Sequence, residues 1–175
     1  MKLTELKTQF ADYAKDIKLN LSSVLSEEGA PGLTKQQIAG IALATAYATK
    51  HQTIIDVMQN EARDLLDEKI IHAVKISATI MAMNNIYYRA IHLMSNKDYS
   101  TMPAKLRMNS MTNSGVDKTD FELYSLAVSA INGCGMCLDS HEKQLLKTGV
   151  SKEGVQSTLR IAAVINAGAQ ALSIG

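Results

Sequence analysis

The sequence predicts an all-α chain, and three observations carry that prediction. Apolar residues recur at helical spacing along most of its length, alanine is frequent, and only 2 of the 175 residues are proline. Runs of alternating β-branched residues, the mark of strands, are few. With 46% hydrophobic and 20% charged residues, the composition is that of a folded chain of about one domain. A core of that size closes without disulfide staples or a structural metal.

The first element is an opening amphipathic helix that repeats Leu3, Leu6, Phe10 and Tyr13. The stretch Glu27–Gly32, with Pro31, breaks it. Thr34 then caps a second helix, KQQIAGIALATAYATK, in which Gly40, Ala42, Ala44 and Ala46 suit close approach of a neighbouring backbone. A third helix covers about 52–66, and a longer one runs from near Asp67 to about Leu93. Ser95 to Ser114, with Pro103 and Asn113, reads as an irregular connection holding one short helix, and marks a boundary between halves.

Beyond it, Thr119-Asp120-Phe121-Glu122 has the form of a capping box, with Thr at the N-cap and Glu three residues on. The helix it opens reaches about Ile131, where Asn132-Gly133 supplies a stop that tolerates left-handed backbone. Cys134-Gly135-Met136-Cys137 therefore begins a new helix, which continues through Leu138, His141, Leu145 and Leu146 to Gly149. Ser151 caps a final one. Residues 80–89, IMAMNNIYYR, laid over 131–140, INGCGMCLDS, show a weak internal repeat of apolar pattern. The expectation is a single helical domain over 1–175, with repeats at about 35–98 and 115–175.

Charge and hydropathy exclude several functions. Eighteen Lys and Arg against 17 Asp and Glu leave a net charge of +1, too little for a phosphate-backbone partner, so no nucleic acid is expected. The first 25 residues contain no apolar stretch of signal-peptide length, and no window approaches the ~18 apolar residues of a membrane span. A cytoplasmic protein without a membrane partner is expected.

The 2 cysteines, Cys134 and Cys137, lie three positions apart, a spacing that random placement gives roughly once in ninety trials. At the start of a helix, free N–H groups and the helix dipole stabilise a thiolate. The i, i+3 spacing lets one sulfur reach the other, so a disulfide can form and open with little backbone movement. His141 stands four residues after Cys137 and seven after Cys134, on the same helical stripe, where an imidazole can take a thiol proton. Glu122 would complete a thiol–imidazole–carboxylate relay if the chain folds back at Asn132-Gly133; otherwise it is the capping-box glutamate. Helix-terminus logic favours Cys134 as the attacking sulfur, whereas the contact with His141 favours Cys137.

Blander readings stand beside this one. A zinc site wants four ligands, while Cys134, Cys137 and His141 offer three; an inert buried pair is the other option. His51, His72 and His92 have no such company and read as surface or packing residues. The methionines, Met81 and Met83 among them, read as core filler.

The string FELYSLAVSAINGCGMCLDSHE, residues 121–142, resembles the active-site segment of the AhpD alkyl hydroperoxidases, relatives within the carboxymuconolactone decarboxylase superfamily. YAKDIKLNLSSV at 13–24, MAMNNIYYRA at 81–90, LRMN at 106–109 and INAGAQAL at 165–172 extend the likeness over nearly the whole chain. The resemblance implies an all-helical, internally duplicated, AhpD-like fold assembled as a homotrimer, acting on alkyl hydroperoxides as an antioxidant peroxidase and reducing the peroxiredoxin AhpC. It further implies electrons from dihydrolipoamide on a lipoyl-bearing 2-oxo acid dehydrogenase component, recharged by lipoamide dehydrogenase and NADH, with no bound cofactor or metal. By the same resemblance Cys137 forms the sulfenic acid, Cys134 donates a proton and closes the disulfide, and His141 and Glu122 relay protons. One departure is Met136, where that family often carries His. A cysteine-independent lactone decarboxylase and a zinc-binding structural protein are the alternatives.

Overall fold

Nine α-helices and no strand make up the chain, in a computed structural model that describes residues 1–175. In order they are α1 (Leu3–Leu6), α2 (Lys15–Val24), α3 (Lys35–Thr49), α4 (Gln52–Ala62), α5 (Glu68–Leu93), α6 (Asn109–Thr112), α7 (Lys118–Asn132), α8 (Gly135–Lys147) and α9 (Lys152–Ile174). Short 3-10 turns occupy Asp12–Ala14 and Lys97–Thr101. The all-α expectation holds.

Most helix starts follow local capping chemistry. Thr34 Oγ1 accepts from Gln37 N at 3.2 Å while Gln37 Oε1 accepts from Thr34 N at 3.0 Å, a reciprocal capping box. Asp67 and Ser151 accept from the third residue beyond them, Ile70 N at 2.8 Å and Gly154 N at 3.1 Å. Each such cap contributes about 1 kcal/mol.

Three boundaries differ from expectation. The N-terminal amphipathic stretch is two helices, α1 and α2, because Thr8 turns its hydroxyl back to Glu5 O at 2.7 Å and offers the backbone an alternative to helix. α4 stops at Ala62, where Leu65 N and Leu66 N both bond to Ala62 O and close a turn before Asp67. α7 starts at Lys118, capped by Asp117, whose Oδ1 accepts from Thr119 N at 2.7 Å. Thr119 is therefore inside the helix and Glu122 is not its capping-box partner.

α7 is the central helix, touching α3, α5, α8 and α9. Leu123 through Ser129 are all buried, as a helix apolar on every side must be. α3 is buried likewise over 40–46; a Cβ at Gly40 would overlap the Tyr124 ring of α7, so glycine there sets how closely the two helices approach. A cluster of 29 buried apolar residues draws on every α-helix except α6, which makes one continuous core.

A polar ladder fixes α5 against α7. Ser77 and Ser125 hydroxyls meet at 3.2 Å, Asn85 Nδ2 donates to Ser129 Oγ at 2.9 Å, and Asn132 Nδ2 donates to Asn85 Oδ1 at 3.0 Å. Arg89 Nη1 donates to Asn132 O at 2.6 Å, a cation on a carbonyl at the negative end of α7. Apolar packing alone tolerates sliding, whereas buried hydrogen bonds require one register. No helix is long and apolar enough to cross a membrane.

Candidate active site

The Asn132-Gly133 turn creates the site. Gly133 takes a left-handed conformation, φ 66°, and ends α7 by donating its N–H to Ala130 O. Cys134, the next residue, is the N-cap of α8, and its Sγ accepts from Cys137 N at 3.3 Å. Cys134 and Cys137 are joined as a disulfide, with Cα atoms 5.2 Å apart. Both sulfurs therefore sit in the first turn of α8, where unpaired N–H groups and the helix dipole favour negative charge.

The turn also folds α8 back along α7, which brings Glu122 to His141. His141 Nδ1 and Glu122 Oε2 lie 2.7 Å apart, with side chains only 8% and 12% exposed. An ionised carboxylate only accepts, so Nδ1 carries the hydrogen and Nε2 is the ring nitrogen left to exchange a proton.

Cys137 and His141 open on a cleft of about 270 Å³. α5 contributes Met81, Asn84 and Tyr88 to its wall, Met108 and Met111 close another side, and α8 adds Met136. Cys134, fully buried, is absent from the lining, whereas Cys137 belongs to it. Glu122 faces a second hollow of about 320 Å³, of which Lys118, Ser114 and Met111 form part. The His141–Glu122 pair thus spans two openings.

Residues 97–174 match the carboxymuconolactone decarboxylase family. A Coxiella burnetii protein named alkyl hydroperoxide reductase AhpD is 55% identical over 168 residues, covering 96% of this chain and 95% of that protein. The chain belongs to the AhpD family. AhpD proteins of Rhodopseudomonas palustris, 54% identical over 100% of this chain and 95% of their own length, and of Brucella suis, 51% identical over 98% and 97%, agree.

Within this AhpD chain, the four residues singled out from sequence, Cys134, Cys137, His141 and Glu122, come together at one place. The other histidines do not: His51 starts α4, His72 and His92 lie on α5, and none lines the cleft. Sequence reasoning missed the cleft wall. Met81, Met108, Met111 and Met136 are 4 of the 9 methionines, which makes the surface beside Cys137 thioether-rich. In the sequence, Asn84 and Tyr88 stand out only as members of the strings that carry the weak repeat and the family likeness. The available signal was Asn84-Asn85, two poor helix formers side by side within an apolar helical run.

Proposed function

We propose that the protein is a thiol-dependent alkyl hydroperoxide reductase that cycles Cys134 and Cys137 between dithiol and disulfide. The observation that carries this reading is a disulfide at a helix N-terminus, one sulfur facing a cleft beside an imidazole held by a carboxylate. The name shared by its AhpD relatives points the same way.

In the reduced enzyme the Cys137 thiolate attacks the terminal oxygen of the hydroperoxide, the O–O bond breaks, and the alkoxide takes a proton to leave as an alcohol. Of the two sulfurs, Cys137 is the one that lines the cleft, which supports giving the attack to Cys137 where spacing left the choice open. His141, oriented by Glu122, holds the thiolate by charge and passes the proton. Cys134 then attacks the Cys137 sulfenic acid, water leaves, and the disulfide closes. A dithiol of the dihydrolipoamide type, carried by a 2-oxo acid dehydrogenase component, reopens it by exchange. The Cys134–Cys137 dithiol so regenerated also donates electrons to the peroxiredoxin AhpC, which it reduces as it closes to the disulfide, and the working form is a cytoplasmic homotrimer.

The test is hydroperoxide consumption with dihydrolipoamide as donor, with and without the peroxiredoxin, in wild type and Cys137→Ser. Wild type should consume hydroperoxide and lose two free thiols per chain in one turnover, and Cys137→Ser should do neither. A reduced wild type that keeps both thiols when given stoichiometric hydroperoxide would sink the proposal. Activity on a lactone that survives Cys137→Ser would replace it with the decarboxylase reading.

A further inference from the structure

Asn84 is a buried polar residue that the fold does not use. It sits on α5 and is 5% exposed, its Oδ1 has no hydrogen-bond partner, and its Nδ2 meets only the thioether of Met111 at 3.7 Å. Its neighbour Asn85 shows the contrast, since both ends of that side chain are engaged in the ladder to α7. Leaving a buried carbonyl oxygen unpaired is destabilising, so an apolar residue would serve folding better at position 84. Asn84 also lines the cleft with Cys137 and His141, and every other α5 or α6 side chain there is a methionine or Tyr88.

We infer that Asn84 is the group that recognises the terminal O–H of the substrate, a specificity-determining residue on a wall otherwise made of methionines and Tyr88, opposite the Ser140 and His141 of α8. A hydroperoxide has one hydrogen-bond donor, the O–H of the oxygen that a thiolate attacks. Accepted by Asn84 Oδ1, that hydrogen holds the terminal oxygen in the cleft that Cys137 lines, while the apolar organic group lies against Met81, Met108 and Met136. Met111, flexible about three bonds, yields the space beside the amide. The step is the one already written: thiolate and hydroperoxide give sulfenate and alcohol, and Asn84 exchanges no electron or proton. Binding discriminates strongly where a site is built to pair one polar group, because its absence leaves the buried partner unsatisfied.

This inference rests on the peroxidase reading for its substrate, and binding of the alcohol product tests it separately. The oxidised protein is titrated with cumyl alcohol, which keeps the apolar group and one O–H, and with isopropylbenzene, which lacks the O–H. Wild type should bind the alcohol about tenfold more tightly than the hydrocarbon, and Asn84→Leu should bind both alike. Asn84→Ala, which adds no bulk, carries the same expectation should leucine disturb the fold. In turnover with cumene hydroperoxide both variants should raise KM with little change in kcat, while dithiothreitol reopens the disulfide at the wild-type rate. Variants that keep the preference for the alcohol, or a wild type that has none, would overturn the assignment. A wild type that prefers the alcohol yet consumes no hydroperoxide would defeat the peroxidase reading and leave Asn84 as the O–H subsite.

Discussion

His141 Nδ1 stands 2.7 Å from Glu122 Oε2 although 18 residues and a helix break separate them in the chain. The pair exists because Gly133 turns α8 back along α7, and the same turn puts Cys134 at the N-cap. One backbone feature therefore assembles both halves of the chemistry. A carboxylate there holds the ring tautomer and offsets charge on the imidazole, and these two contributions can be separated by substitution.

Glu122→Gln keeps an oxygen that accepts from Nδ1 but removes the charge. Hydroperoxide turnover should fall by roughly a hundredfold, within the range of proton-transfer assistance, while stability to urea changes by less than about 1 kcal/mol. Because Asp117 and not Glu122 closes the start of α7, loss of stability without loss of rate would contradict the relay. Steady-state rates and a denaturation curve on the same preparation decide it.

Cys134→Ser should arrest the cycle one step late. Cys137, the sulfur facing the cleft, would still attack one equivalent of hydroperoxide, and its sulfenic acid would persist because the resolving sulfur is gone. Mass spectrometry after trapping with dimedone should find the adduct on Cys137 in this variant. Cys137→Ser should show no adduct; an adduct on Cys134 there would reverse the assignment of the two sulfurs.

Features written in short stretches of chain were legible in the sequence, and those assembled from distant stretches were not. Thr34, Ser151 and Gly133 act on backbone within a few residues, so caps and stops could be read directly. Thr119-Asp120-Phe121-Glu122 satisfies the same kind of local rule, but Asp117 caps first and the pattern becomes incidental. The meeting of Glu122 and His141 depends on the direction in which α8 leaves the turn, which Asn132-Gly133 permits without dictating. Asn84, Met111 and Cys137 share a cleft only because the ladder through Asn85 and Arg89 sets the register of α5 on α7.

That ladder yields a prediction about stability. Asn85→Leu removes one buried and one half-buried hydrogen bond and leaves Ser129 Oγ and Asn132 Nδ2 without their partner. A loss of about 2–4 kcal/mol is expected, with each stranded buried group contributing about 1–3. Arg89→Met strands only the Asn132 carbonyl at the end of α7 and should cost about 1–3 kcal/mol. Urea midpoints at constant slope would measure both, and a neutral Asn85→Leu would show that the ladder does not hold the register.

Tyr124 gives the opposite sign. It is fully buried on α7 against Gly40, and its hydroxyl has no hydrogen-bond partner. Burial raises the phenol pKa well above its ordinary 10.0, and the negative charges of Asp120 and Asp67 push it in the same direction. Folded protein therefore keeps the proton where unfolded chain releases it. Below pH 10.0 both states hold the proton and the group adds no pH dependence; above it the unfolded state binds fewer protons, so stability falls as pH rises. Tyr124→Phe removes the unpaired hydroxyl and the titration together. At neutral pH the variant should match or exceed wild-type stability by up to about 1 kcal/mol, and its alkaline decline should be shallower. Denaturation curves between neutral pH and pH 11 would check both; an equally steep decline in Tyr124→Phe would mean that other groups carry the alkaline sensitivity.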